Sequence, residues 1–170
     1  VAGNFTRVAC MVTTQARQWY ETDTQQLVDV TSPDNVLVSG QLASGAVASV
    51  HVAAVPWAGS GFRMEIYGRD GTLVTTGNVS SQRGEMLRLQ GARRSHELSE
   101  LAIPERFVHV PADFPRGDPF NVGQMYALFA EAIRTGQSRL LPTFDTAVDL
   151  HHFVDTIKQA SDTGRELPVA

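Results

Sequence analysis

One cysteine, one lysine and no long apolar run narrow the possibilities for this 170-residue chain before any motif is read. A solitary Cys10 cannot close an internal disulfide, and no ligand cluster surrounds it, so it reads as a buried thiol in a strand. Lys158 is the sole lysine and reads as an exposed helical position, which leaves little room for lysine chemistry. The apolar runs are too short to span a bilayer. No basic segment leads into an apolar stretch, so a cytoplasmic protein without a secretion signal is expected, with no membrane partner. The net charge is −4 and the pI about 5.7, which excludes the clustered cations of a nucleic-acid surface. A dinucleotide fingerprint is also missing. Gly59-Ser60-Gly61 lacks the third glycine and lies between strands, where no helix N-terminus can receive a pyrophosphate. The chain alone is therefore expected to bind no cofactor.

What remains is an ordinary soluble composition, 42% hydrophobic and 19% charged, sufficient for a core. Strand patterns fill the chain to about Leu101 and helical ones follow from about Asp118. That segregation predicts an α+β fold, a large mainly antiparallel open sheet with helices packed on one face. Val36, Val38, Gly40 and Leu42 alternate with Leu37, Ser39 and Gln41, and a Ser44-Gly45 turn leads into a second alternating run to Ala53. Arg69-Asp70-Gly71 predicts a turn between Phe62–Tyr67 and Thr72–Thr75, its Asp-Gly supplying positive φ angles. Phe62, Met64 and Ile66 should face the core. Thr6–Thr14 is a further strand; Met86–Gln90 and His96–Leu101 are weaker ones.

Four prolines from Pro104 to Pro119 predict an extended loop across a surface, either a lid or a packing strap. Asp118-Pro119 predicts a capped helix with the apolar stripe Val122, Met125, Leu128, Phe129, Ala132 and Ile133, stopped at Gly136. A second helix should start near Thr143, bury Ala147, Leu150, Phe153, Val154, Ile157 and Ala160, and end at Gly164. The sheet face away from the helices would carry Leu37, Ser39, Val47, Ser49, His51, Ala53, Arg63, Glu65 and Tyr67. This mixture suits an interface better than a core or a fully solvated surface.

Candidate chemistry is sparse. His51 lies on that less apolar face, where it either touches a ligand or partner or serves as a hydrogen-bonded structural histidine. Trp57, in the loop Pro56–Gly61, either stacks on a sugar or fills an interface. These two are the substrate-binding candidates. His152 with Asp145 and Asp149, and His151 with Asp155, lack the further ligands a metal needs and read as surface ion pairs. No nucleophile–base set stands out, so no catalytic residue and no metal ligand are assigned.

The segments in combination resemble a known family. Glu65-Ile66-Tyr67-Gly68-Arg69-Asp70-Gly71-Thr72-Leu73, then Asn121-Val122 through Tyr126, Phe129, Ala132-Ile133 and Gly136, then Ala160-Ser161-Asp162-Thr163-Gly164-Arg165, are similar to the glucose–fructose oxidoreductase / inositol dehydrogenase / rhizopine catabolism family. Pro33 through Gly40 and the hairpin after it resemble its branch related to the yeast galactose regulator. The resemblance implies a C-terminal substrate-side and oligomerisation domain covering residues 1–170. Its parent would add an N-terminal Rossmann domain holding NAD or NADP, an expectation in keeping with a chain that opens on Val1 rather than Met. It also implies a sugar or polyol substrate, the parent's own Rossmann domain as a partner, and a homo-oligomer formed through the open sheet face. The family's Glu-Lys-Pro motif and its Asp/His pair have no match here, so no catalytic role carries over. A non-catalytic ligand-sensing regulator of the same architecture is the alternative.

Overall fold

The computed structural model describes residues 2–54, 59, 61–77, 87–137 and 143–169. It divides into two compact units, residues 1–57 with 142–170, and residues 58–141. The class is α+β, and every strand pairing is antiparallel.

The first unit holds β1 (Phe5–Thr13), β2 (Gln18–Glu21), β3 (Gln26–Asp29), β4 (Asn35–Leu42), β5 (Val47–Ala53), α2 (Phe144–Thr163) and β10 (Leu167–Pro168). Its main sheet runs β10-β1-β4-β5, while β2 and β3 pair only with each other. Alternation is what closes the core: Val8, Val38 and Leu42 are buried, whereas Met11, Leu37 and Val47 on the opposite face are exposed. A bulge between Phe5 and Arg7 adds one residue and turns Phe5 to the helix side, where its ring stacks on Phe153 of α2 at 5.4 Å. Strand β10 is short and pairs only Arg7 and Val8. Further along β1, the amide of Val12 instead donates to Ser161 Oγ of α2 at 2.9 Å. One hydroxyl thus continues the ladder that the strand leaves off.

Helix α2 begins as the sequence predicts, with Thr143 and Thr146 forming a reciprocal capping box and Gly164 closing the end in the left-handed region. Its buried side is narrower than the predicted stripe. Ala160 is buried and Ala147, Phe153 and Ile157 are partly covered, but Leu150 and Val154 stay more than half exposed.

The second unit holds β6 (Phe62–Gly68), β7 (Gly71–Gly77), β8 (Arg88–Arg93), β9 (Ser99–Glu100) and α1 (Asp118–Thr135), with the sheet order β6-β7-β8-β9. The expected hairpin forms, but Gly71 has no positive φ. A glycine is required there for another reason: a Cβ would overlap the carbonyl oxygen of Ala92 on the neighbouring strand. Met64 and Ile66 are partly covered as expected, whereas Phe62 is exposed. The strand expected over His96–Leu101 shortens to Ser99–Glu100; Met86 lies outside the described residues.

Helix α1 departs from its predicted cap and its predicted face. The N-cap is Gly117, whose φ of 89° suits glycine, so Asp118 becomes the first helical residue and acts through the helix dipole rather than a side-chain cap. Val122, Met125, Phe129 and Ile133 are each at least half exposed. The covered side instead meets the Pro104–Gly117 strap. Phe120 is buried, the Phe114 ring leaves no room for a Cβ at Gly123 (2.8 Å), and Gln124 brackets the strap by accepting from the His109 amide and donating to the Phe107 carbonyl.

Candidate functional site

The uncovered face of the β1-β4-β5 sheet can be read off its register as four rows. These are Thr13–Asn35–Ala53, Met11–Leu37–His51, Ala9–Ser39–Ser49 and Arg7–Gln41–Val47. The second row is mainly apolar, the first and fourth mainly polar, and the third is a furrow of small side chains. All nine residues expected on the open face are exposed, including those that fall on β6 of the second unit.

His51 sits at one end of this face. Its Nε2 lies 3.4 Å from Asn35 Oδ1, a long contact, and no other hydrogen bond reaches its ring among the described residues. Asn35 in turn donates from Nδ2 to Asp34 Oδ1 at 3.0 Å. Asp34 is buried and accepts the amides of Gln15 (2.9 Å) and Ala16 (2.7 Å). Gln15 reaches back through Nε2 to Thr13 Oγ1 at 3.2 Å. A continuous polar chain therefore runs from the His51 imidazole to the base of the β2–β3 hairpin. The second ring nitrogen of His51 has no hydrogen-bond partner among the described residues.

The Ala16 amide, then the Asn35 side chain and the Gln15 amide, hold the Asp34 carboxyl below its ordinary value of 3.8. A carboxyl depressed on folding contributes stability that is complete above the unfolded value and is lost as pH falls through the folded one. Urea midpoints measured down the acid range should therefore fall less steeply for Asp34→Asn than for the unmodified chain. Parallel acid limbs would show that the carboxylate does not hold this loop.

The remaining candidates do not join this site. Trp57 lies outside the described residues. His151 and His152 are exposed on α2, and no group of three or more metal-ligating side chains occurs among the described residues. Burial raises the Cys10 thiol above its usual range. Neither helix start suits a phosphate, since Asp118 and Asp145 place carboxylates in the first turns. On β6, Arg63 donates to Glu65, and first Arg63 and then Tyr67 keep the Glu65 carboxyl low.

Asn35 and Asp34 escaped functional notice in the sequence. Pro33-Asp34-Asn35 read there as part of a resemblance, and its turn chemistry was the available signal: Asp after Pro commonly accepts nearby backbone amides.

Antiparallel sheets, packed helices and an uncovered sheet face place the described residues in the α+β class. The chain belongs to the Gfo/Idh/MocA oxidoreductase family, matching its C-terminal alpha/beta domain over residues 2–170. Among solved structures it is similar to levoglucosan dehydrogenase in complex with NADH and L-sorbose (TM-score 0.77, 19% identity, 98% of this chain and 46% of that one). A super-repressor mutant of Gal80p from Saccharomyces cerevisiae follows (TM-score 0.74, 18% identity, 99% and 46%). Aldose-aldose oxidoreductase from Caulobacter crescentus complexed with glycerol is also similar (TM-score 0.67, 16% identity, 98% and 42%). The chain thus spans less than half the length of these proteins. No curated protein matches it. No helix among the described residues is long and apolar enough to cross a membrane.

Proposed function

We propose that this chain is the substrate-side domain of a cytoplasmic NAD(P)-dependent oxidoreductase acting on a sugar or polyol. Its parent would supply a Rossmann domain that holds the nicotinamide cofactor. The observation carrying the reading is the match to an oxidoreductase C-terminal domain along residues 2–170. The fold shared with a dehydrogenase solved with NADH and a sugar supports it. In this reading the domain walls the substrate cleft, and the His51 imidazole, oriented by Asn35, is a hydrogen-bonding contact for a hydroxyl-rich ligand, with Trp57 as its stacking partner. The uncovered sheet face is the surface through which copies of the chain associate.

Two measurements test this. Calorimetric titration of the chain with NADH and NADPH should give no binding in the micromolar range; a micromolar Kd would overturn the domain assignment. The protein carrying this chain beside a nucleotide-binding domain should reduce NAD or NADP when offered a panel of sugars and polyols. Tight nucleotide binding without turnover of any of them would favour a ligand-sensing regulator, the second reading, which the Gal80p likeness supports.

A further inference from the structure

The β2–β3 hairpin is at odds with its surroundings. It pairs with no other strand among the described residues, and all eight of its strand residues are exposed. Opposite residues in a hairpin share a face, so Trp19 with Val28 occupies one side and Tyr20 with Leu27 the other. Tyr20 and Leu27 are 59% and 65% exposed. A two-stranded ribbon apolar on both sides is marginal in water by itself. This one is nonetheless held firmly at its root, by the Asp34 carboxylate on Gln15 and Ala16 and by the Val30 amide on the Arg17 carbonyl. From that root it extends about 20 Å, at roughly 3.4 Å per residue. The sheet it springs from is about 14 Å wide, at about 4.8 Å per strand spacing.

Its charge is as one-sided as its apolarity is two-sided. Glu21, Asp23 and Asp29 project from it with no cationic partner among the described residues, Glu21 meeting Thr24 and Asp29 meeting Gln18, against a single Arg17 at the root. The unit it belongs to carries nine Asp and Glu and four Lys and Arg, whereas the other unit carries nine and ten. Three of those ten arginines, Arg69, Arg93 and Arg94, lie at the Gly68–Gly71 end of the β6-β7-β8 sheet. Arg69 is in the turn, Arg93 faces Gly71, and the Arg94 amide donates to the Asp70 carbonyl. Arg94 also meets the Asp70 carboxylate, but Arg69 and Arg93 have no carboxylate partner among the described residues. Tyr67, 73% exposed, lies one row away.

We propose that the β2–β3 hairpin is an intersubunit arm, docking its apolar side chains and its carboxylates on the Arg69–Arg93 end of the β6-β7-β8 sheet of a second copy of this chain. The inference rests on the self-association proposed above and adds to it which element crosses and where it lands. Charge complementarity selects the partner surface, and the apolar pairs hold it once water is excluded.

A charge swap tests it. Glu21→Lys with Asp23→Lys, and separately Arg69→Glu with Arg93→Glu, should each raise the dimer dissociation constant at least tenfold at low salt, while melting stays cooperative. Mixed together, the two variants should form a heterodimer, because both arm–sheet contacts are then complementary again. A photo-crosslinking residue at Tyr20, in mixed ¹⁴N- and ¹⁵N-labelled chains, should give crosslinks between chains at residues 67–94. This readout decides the matter if a charge variant fails to fold. Crosslinks only within one chain, or an unaltered dimer in both charge variants, would overturn the arm while leaving an open-face dimer intact. A wild-type chain that is monomeric at high micromolar concentration overturns both readings.

Discussion

Gly40→Val should cost roughly 3 kcal/mol or more, a large share of a typical domain's stability. Gly40 lies mid-strand in β4, opposite Val8, on the side that faces α2. The bulge after Phe5 pushes the Arg7 carbonyl toward it, so that any Cβ would overlap that oxygen and also meet Phe5 at 3.0 Å and Val8 at 3.1 Å. Neither a strand carbonyl nor the fully buried Val8 can give way without disturbing the ladder. Thermal unfolding followed by circular dichroism should show a fall of roughly 10 °C or loss of the cooperative transition. Gly45→Ala is the control. That glycine has a φ of 86° but nothing within 4 Å of its Cβ position, so only backbone strain of about 1 kcal/mol is expected. Equal losses at the two positions would mean that crowding by Arg7 is not what demands glycine at Gly40.

The association proposed through the open sheet face should be abolished by Val47→Asp, or by Ser49→Arg, without unfolding the protomer. Val47 is 85% exposed at the β5 edge of the open face, and Ser49 closes the small-residue furrow with Ala9 and Ser39. Neither side chain supports the fold, so a charge at either should leave the melting curve within about 0.5 kcal/mol of wild type. Desolvated against a second copy, the same charge should raise the dissociation constant about a hundredfold, the equivalent of about 2.7 kcal/mol. Light scattering over a concentration series separates the outcomes. Unchanged association in both variants would move the interface off this face.

The parts of this fold legible in the sequence were those set by local periodicity. The Asn35–Leu42 and Val47–Ala53 strands announce themselves by strict alternation, and Thr143 and Gly164 by their fit to a cap and a left-handed stop. What period could not reveal was which neighbour would occupy a face. The α1 stripe of Val122, Met125, Phe129 and Ile133 has the spacing of a core, yet Phe114 and Gln124 bring the strap to the other side. Asp70-Gly71 carries the sequence pattern of a turn with positive φ, yet the constraint on Gly71 is the Ala92 carbonyl, a contact between residues far apart in sequence. The β2–β3 hairpin was invisible because both its faces mix polar and apolar residues, leaving no alternation to detect. At the site, His51 stood out as a titratable group on a strand. Asn35 and Asp34, which orient it, carry no pattern until the register brings them together.

The antiparallel pairing of β1 with β10 has a consequence for the order in which the protein is made. The first strand of the chain cannot complete its sheet, nor cover Val8, until α2 and β10 have been synthesised. The unit formed by residues 58–141 is continuous and emerges from the ribosome in between. At about 5–20 residues per second, the apolar side of β1 and β4 waits of the order of 10 s for its helix. During translation, that apolar face stays open to water or to a chaperone until α2 arrives.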